Sequence, residues 1–135
     1  MKIFIDNNIV LDALLTRQPF NNSAEQILKQ CVDIHKGYLS ANSLTNIFYF
    51  LEKSIGADSA KAAIKKLLTL YQTISVTQDD CINALSLSMN DFEDALIAVC
   101  AKKVGADYII TRDSTFINAK SLVKVISPTD FLSLN

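Results

Sequence analysis

Short apolar runs alternate along the chain with segments in which apolar residues recur every three or four positions. The runs predict five strands, at residues 2–5, 38–40, 73–76, 107–111 and 123–126. The periodic segments predict helices, at residues 9–14, 23–36, 43–53, 58–71, 78–87 and 91–104, with a closing helical turn after residue 128. Strands that alternate with helices are typical of a parallel sheet with helices on both faces. The pattern therefore predicts an α/β fold.

The segment 43–53 is the most aromatic part of the chain, with Phe48, Tyr49 and Phe50 in succession followed by Leu51. Successive residues point to all sides of a helix, so one core cannot cover all four side chains. The segment therefore predicts a second packing surface, for which a homodimer interface is the natural use.

The length of 135 residues and the apolar content of 50% suit a single domain, residues 1–135, with a substantial core. The 13 basic and 14 acidic residues nearly cancel, so a basic surface that coats nucleic acid is not indicated. An enzyme that meets nucleic acid through a metal ion and a few local cations is compatible with this balance. No apolar run reaches the roughly 18 residues of a membrane helix. Asp6 also interrupts the N-terminal apolar run, so no signal peptide is expected and the protein is predicted to be cytoplasmic.

Scarce residue types argue against several kinds of site. The cysteines Cys31, Cys81 and Cys100 are odd in number and widely spaced, which does not suit a disulfide framework or a zinc site, and each is expected to fill core space. The single histidine, His35, lies in a polar stretch typical of a helix end, which argues against a Ser-His-Asp hydrolase. The few glycines are isolated, so neither a phosphate-binding loop nor a dinucleotide-binding motif is present.

Two aspartates follow predicted strands directly. Asp6 comes after the first strand, and Asp113 stands in the same relation to the strand at 107–111. Helix capping is the structural alternative for Asp6, and a turn is the alternative for Asp113. Because parallel sheets place ligand sites at the carboxyl ends of their strands, two such aspartates favour a functional site at that edge.

A third group of acidic residues opens the helix at 91–104. Asn90 and Glu93 have the spacing of a capping box, which explains Glu93 structurally. Asp91 gains from the helix dipole in the first turn. Asp94 lies on a face of small residues that allows close approach of another group, so we favour a functional role for Asp94 over Asp91.

Asp6, Asp94 and Asp113 would repel one another at one site unless a cation lay between them. Oxygen ligands without histidine or cysteine indicate a hard cation, Mg²⁺ or Mn²⁺. Such an ion typically pairs carboxylates with substrate phosphates, orients and acidifies a water molecule, and stabilises charge in the transition state. The predicted chemistry is therefore metal-assisted hydrolysis of a phosphodiester bond.

Three segments, at residues 4–12, 91–98 and 105–113, together resemble the PIN-domain nucleases, in that family's order and over essentially the whole chain. Many members are VapC-like ribonuclease toxins of toxin–antitoxin pairs. The resemblance implies a three-layer α/β/α sandwich with a central parallel sheet and Mg²⁺-dependent cleavage of RNA. It also implies frequent homodimers and inhibition by a small antitoxin protein.

The resemblance also implies the site residues. The family's first, third and fourth acidic positions fall on Asp6, Asp94 and Asp113, which are expected to bind the metal ion and act in catalysis. The second position, usually Glu, falls on Asn46, which offers a neutral oxygen and predicts weaker metal binding. Asp91 is expected to replace part of the missing charge as a further metal ligand.

The sequence leaves alternatives open. One is an active ribonuclease, in which Asn8, Arg17 and Arg112, with Lys53, are candidate contacts to RNA. Another is a catalytically weakened PIN-like protein that acts by binding RNA or a protein partner, an alternative that Asn46 favours. A third is an aspartyl phosphatase, which is disfavoured because Asn8 stands where that chemistry needs an aspartate.

Overall fold

The computed structural model describes residues 1–134, which form a five-stranded parallel sheet and the helices that connect its strands. The strands are β1 (Lys2–Ile5), β2 (Lys36–Ser40), β3 (Gln72–Ile74), β4 (Tyr108–Ile110) and β5 (Val125–Ile126). The helices are α1 (Asn7–Leu14), α2 (Asn21–Asp33), α3 (Ala41–Ile55), α4 (Ala57–Leu70), α5 (Gln78–Leu85), α6 (Phe92–Val104), α7 (Ser114–Ile117) and α8 (Pro128–Leu132). This architecture confirms the predicted α/β class.

The sheet has the strand order β3-β2-β1-β4-β5, so β1 lies at its centre. Alternate residues of β1 point to opposite faces. Ile3 and Ile5 pack into a core with α1 to α4, whereas Phe4 packs on the other face with α6 and α7. Helices therefore cover both faces, and the predicted three-layer α/β/α sandwich is confirmed.

The register of the central strands brings two loops together. Ile5 of β1 lies beside Ile110 of β4, and the backbone N–H of the next residue, Asp6, donates to the Ile110 carbonyl oxygen at 3.0 Å. Because both strands run in the same direction, the segments that follow them emerge side by side at one edge of the sheet. This edge carries the candidate site.

The structure moves several predicted boundaries. Helix α1 begins at Asn7, two residues earlier than predicted, because Asp6 caps it. The short helix α7 was not predicted, since four residues are too few for a clear periodicity. Gly56, with a φ of 86°, separates α3 from α4 in a backbone conformation that other residues rarely adopt.

The structure also bears on the predictions made for the cysteines and for the aromatic segment. Cys31 and Cys100 are buried, as expected of core cysteines, and Cys81 is partly buried. Tyr49 and Phe50 are exposed, so the core does not cover the aromatic segment. In the part of the chain that the structure describes, no helix has the length and apolarity needed to cross a membrane.

Candidate functional site

Asp6 lies at the carboxyl end of β1 and is only 7% exposed. Its Oδ1 accepts a hydrogen bond from the Asn7 backbone N–H at 2.7 Å, which caps α1. Its Oδ2 accepts from the Thr111 hydroxyl at 2.7 Å and from the Asn8 side-chain amide at 3.3 Å. The capping role considered from the sequence is therefore real, but it occupies only one of the two carboxylate oxygens.

Thr111 joins the two loops at the sheet edge. This fully buried residue accepts hydrogen bonds from the Asn8 amide and from the Asp113 backbone N–H, both at 3.1 Å. Asp113 caps α7 through its Oδ1, which accepts from the Thr115 backbone N–H at 3.0 Å. The Thr111 hydroxyl thus connects the Asp6 carboxylate to the loop that carries Asp113.

The start of α6 differs from the prediction made for Asn90 and Glu93. Asp91, not Asn90, is the N-cap, and its Oδ1 accepts from the Asp94 backbone N–H at 3.0 Å. The prediction of a capping box between Asn90 and Glu93 is therefore wrong. A cap one residue later leaves the Glu93 side chain free for other contacts.

Those contacts link three helices. The Glu93 Oε1 accepts hydrogen bonds from the side-chain amides of Asn7 on α1, at 3.0 Å, and of Asn46 on α3, at 3.1 Å. The Asn7 Oδ1 is buried without a hydrogen-bond partner. This role of Glu93 was not predicted, because the capping-box spacing offered a sufficient local explanation and no local pattern reveals contacts with residues 47 and 86 positions away.

Burial and like charges raise the pKa values of two aspartates. Burial raises the pKa of Asp6 from 3.8 to about 6, and the charges of Glu93 and Asp113 add to this rise, against hydrogen bonds from Thr111 and Asn7. Burial also raises the pKa of Asp94 from 3.8 to about 7, and the charges of Asp91, Asp6, Asp113 and Glu93 contribute in that order. The acidic side chains therefore lie close enough to affect one another.

A pocket of about 230 Å³ lies between α1, α3 and the start of α6. It brings together most of the predicted site, and its polar lining residues are Asp6, Asn7, Asn8, Arg17, Asn46, Asp91, Glu93 and Asp94. Asp113 is not part of this lining; it lies beside the pocket, where its charge acts on both Asp6 and Asp94.

The three cations predicted to contact RNA occupy different surroundings. Arg17 lines the pocket, and its guanidinium lies 3.9 Å from Asp12. Arg112 donates hydrogen bonds to both carboxylate oxygens of Asp12 and stacks over the Phe20 ring at 4.1 Å. Lys53 lies over the Tyr49 ring at 4.5 Å, outside the pocket lining. Their contacts with RNA stay predictions.

Two observations bear on whether these residues could hold a metal ion. Within residues 1–134, no group of three or more His, Cys, Asp or Glu side chains stands in the arrangement of a metal site. The pocket nevertheless combines carboxylate and amide oxygens, the ligands of hard cations. The unpartnered Asn7 Oδ1 also belongs to a residue of the lining. The residues present therefore suit a hard divalent cation by the chemistry of their oxygens.

Known proteins resemble the chain over most of its length. A family model described as PIN domain matches residues 2–115. Ribonuclease VapC1 of Aquifex aeolicus (strain VF5) is 23% identical over 135 residues, which span 96% of this chain and 92% of that protein.

Two solved structures share the fold. VapC20 of Mycobacterium tuberculosis, described as a sarcin-ricin loop cleaving toxin, is 19% identical with a TM-score of 0.73, covering 89% of this chain and 96% of that one. A toxin-antitoxin complex from Klebsiella pneumoniae contains a chain that is 18% identical with a TM-score of 0.71, covering 93% of this chain and 97% of that one.

Proposed function

Because the chain belongs to the PIN-domain family, we propose that it is a ribonuclease that hydrolyses RNA phosphodiester bonds with the help of Mg²⁺, for which Mn²⁺ can substitute. The observation that carries the proposal is the grouping of Asp6, Asp91 and Asp94 around one pocket, with Asp113 beside it. Acidic side chains that raise one another's pKa values are unfavourable unless a cation or a proton compensates for them. The name of the curated relative from Aquifex aeolicus supports the same activity.

Four carboxylates are assigned to the cation. Asp6, Asp94 and Asp113 would hold it, Asp91 would add charge, and Asn46 would contribute a neutral amide oxygen. When bound, Mg²⁺ would supply an acidified water molecule as the nucleophile and would neutralise charge on the phosphate. No side chain of the protein needs to act as a nucleophile.

The protein's own side chains would position the metal ligands and attract the RNA. Thr111 and Asn8 hold the Asp6 carboxylate in place through its Oδ2. Arg17, on the rim of the same pocket, would attract the phosphate backbone of RNA. Asp6 and Asp94, whose pKa values are about 6 and about 7, must be deprotonated before they can bind a cation.

Two partners belong to this proposal. An antitoxin protein is one, because the fold recurs in a toxin-antitoxin complex from Klebsiella pneumoniae. A second copy of the chain is the other, because Tyr49 and Phe50 on α3 are exposed. A ribonuclease toxin of this kind would act in the cytoplasm, where its RNA substrate is found.

A second candidate is a PIN-like protein that binds RNA or a protein partner without cleavage. The observation that favours it is Asn46, a neutral side chain that lines the pocket and donates its amide to Glu93. A neutral residue at this position weakens the attraction of the site for a divalent cation. RNA binding without cleavage, in the wild-type protein with Mg²⁺ present, would support this candidate.

Cleavage of a fluorescent single-stranded RNA separates the two candidates. The wild-type protein is expected to cleave this RNA in the presence of Mg²⁺ or Mn²⁺ and to lose the activity when EDTA is added. Asp6→Asn and Asp94→Asn are expected to abolish cleavage, whereas Asp79→Asn, which removes a carboxylate from the surface of α5, is expected to preserve it. Cleavage that continues in EDTA and in both pocket variants would rule out the metal mechanism.

A further inference from the structure

Glu93 occupies an unusual position at the junction of three helices. It belongs to the first turn of α6, yet its Oε1 accepts amide hydrogen bonds from Asn7 on α1 and from Asn46 on α3. Both amides donate to the same oxygen, which leaves Oε2 outside these two hydrogen bonds. A carboxylate oxygen that accepts two amide N–H groups is held in place.

The two hydrogen bonds also orient the amides. The nitrogen of an Asn side chain and its oxygen lie on opposite branches of one planar group, so an amide that turns Nδ2 toward Glu93 turns Oδ1 away. For Asn7 this leaves a buried Oδ1 without a partner, which is unfavourable if nothing compensates. A cation is the partner that an unpaired amide oxygen beside several carboxylates attracts most strongly.

Resting on the proposed function, we infer that Glu93 supplies the pocket with the negative charge that Asn46 lacks, and that it orients Asn7 and Asn46 so that their oxygens are available to the cation. Glu93 lines the same pocket as Asp6, Asp94 and Asn46. It is a positioning residue for the two amides. Its negative charge, carried by α6, would replace the charge that a carboxylate at residue 46 of α3 would supply to the pocket.

Substitutions at residue 93 separate charge from positioning. Glu93→Gln removes the charge but retains an Oε1 that can accept from both amides, whereas Glu93→Ala removes both. Glu93→Gln combined with Asn46→Glu returns the charge to the pocket from α3. Glu25→Gln, at an exposed position of α2, is the matched control for the loss of one negative charge.

Isothermal titration calorimetry of the intact protein with MnCl₂, in the absence of RNA, measures the affinity of each variant for Mn²⁺. Glu93→Gln is expected to bind Mn²⁺ at least about tenfold more weakly than the wild type. The double variant is expected to recover most of this loss, and Glu25→Gln is expected to match the wild type. Glu93→Ala is expected to bind more weakly than Glu93→Gln. The thermal unfolding of each variant checks that it is folded.

Side-chain amide resonances provide a second readout that does not depend on affinity. In the wild type, Mg²⁺ is expected to shift the Nδ2 resonances of Asn7 and Asn46, and in Glu93→Ala these shifts should disappear at Mg²⁺ concentrations that still saturate the variant. If they persist there, the positioning role is overturned.

The outcomes separate this inference from the proposed function. If Asp6→Asn loses Mn²⁺ binding while Glu93→Gln binds within twofold of the wild type, the role of Glu93 is overturned and the metal site stands. If Asp6→Asn binds Mn²⁺ as tightly as the wild type, or if the wild type binds none, the metal site itself fails.

Discussion

Arg112 and Asp12 form a two-point contact in which the guanidinium Nε and Nη2 donate to separate oxygens of a fully buried carboxylate. The contact ties the loop after β4, which carries Asp113, to the middle of α1. Arg17 lies 3.9 Å from the same carboxylate. Asp12 therefore forms ion pairs with two arginines at the margin of the candidate site.

Arg112→Ala is expected to destabilise the fold, because it leaves the buried Asp12 with Arg17 as its remaining ion-pair partner. Breaking a buried ion pair typically costs about 3–5 kcal/mol, and the partial exposure of Arg112 lowers the expectation to about 2–3 kcal/mol. Urea unfolding measures the change. Arg17→Ala, with its longer contact, is expected to cost less than about 1 kcal/mol, and an equal loss in both variants would contradict the special role of Arg112.

The same two arginines are predicted to contact RNA phosphates. Each alanine variant is expected to weaken RNA binding and to lower the salt dependence of binding by about one phosphate contact. Fluorescence anisotropy of a labelled RNA at several salt concentrations, on an Asp6→Asn background that prevents cleavage, measures both quantities. Lys61→Ala on α4 is the control, and an unchanged salt slope in an arginine variant would remove that residue from the interface.

Stability and cation binding are expected to vary with pH in opposite directions. Asp6 and Asp94 have raised pKa values, of about 6 and about 7, so between pH 3.8 and these values the folded protein binds more protons than the unfolded chain. The stability from these two groups is present below pH 3.8 and is lost as pH rises through about 6 and about 7. Because protons and cations compete for the same oxygens, the rise in Tm caused by Mg²⁺ is expected to be larger at pH 8 than at pH 5.5.

Thermal unfolding at several pH values, with and without Mg²⁺, tests this dependence. The double variant Asp6→Asn/Asp94→Asn retains the other carboxylates of the protein, so the difference between it and the wild type isolates these two groups. A Mg²⁺ effect on Tm that is the same at both pH values would contradict the assignment of Asp6 and Asp94 as cation ligands.

Thr111→Val is expected to raise the pKa of Asp6 further, because it removes a hydroxyl hydrogen bond that lowers this pKa. It also leaves the Asp113 backbone N–H without its hydroxyl acceptor, at an expected cost of about 1–3 kcal/mol. NMR titration of the Asp6 carboxyl carbon and urea unfolding measure the two effects. Thr115→Val, at an exposed position of α7, serves as the control, and equal behaviour of the two variants would refute the role of Thr111 as the link between the loops.

Gly37 is expected to resist any larger residue. A Cβ atom at this position would lie 2.6 Å from the Tyr71 ring and 3.0 Å from the Cys31 Cβ. Gly37→Ala must therefore displace the ring, at an expected cost of about 1–3 kcal/mol in urea unfolding. Gly105→Ala meets no atom within 4 Å but requires a φ of 71°, so it separates backbone strain from crowding; a neutral Gly37→Ala would show that the ring moves freely.

The amino-acid sequence by itself determined the order of the strands and of every helix except the short α7, and it indicated the edge of the sheet at which Asp6 and Asp113 lie. Both follow from local physics: apolar spacing distinguishes a strand from a helix, and a parallel sheet directs the residues after its strands to one edge. Asp6 and Asp113 were selected in this way, whereas Asp94 was favoured because it lies on a helix face of small residues.

Only the tertiary structure decided which neighbours those residues have. The roles of Glu93 and Thr111 depend on contacts between segments that are 47 to 105 residues apart, so no local spacing encodes them. The pairing of Arg112 with Asp12 is of the same kind. Local patterns report propensity and burial, whereas a hydrogen bond between distant segments depends on where packing of the whole sheet places two side chains.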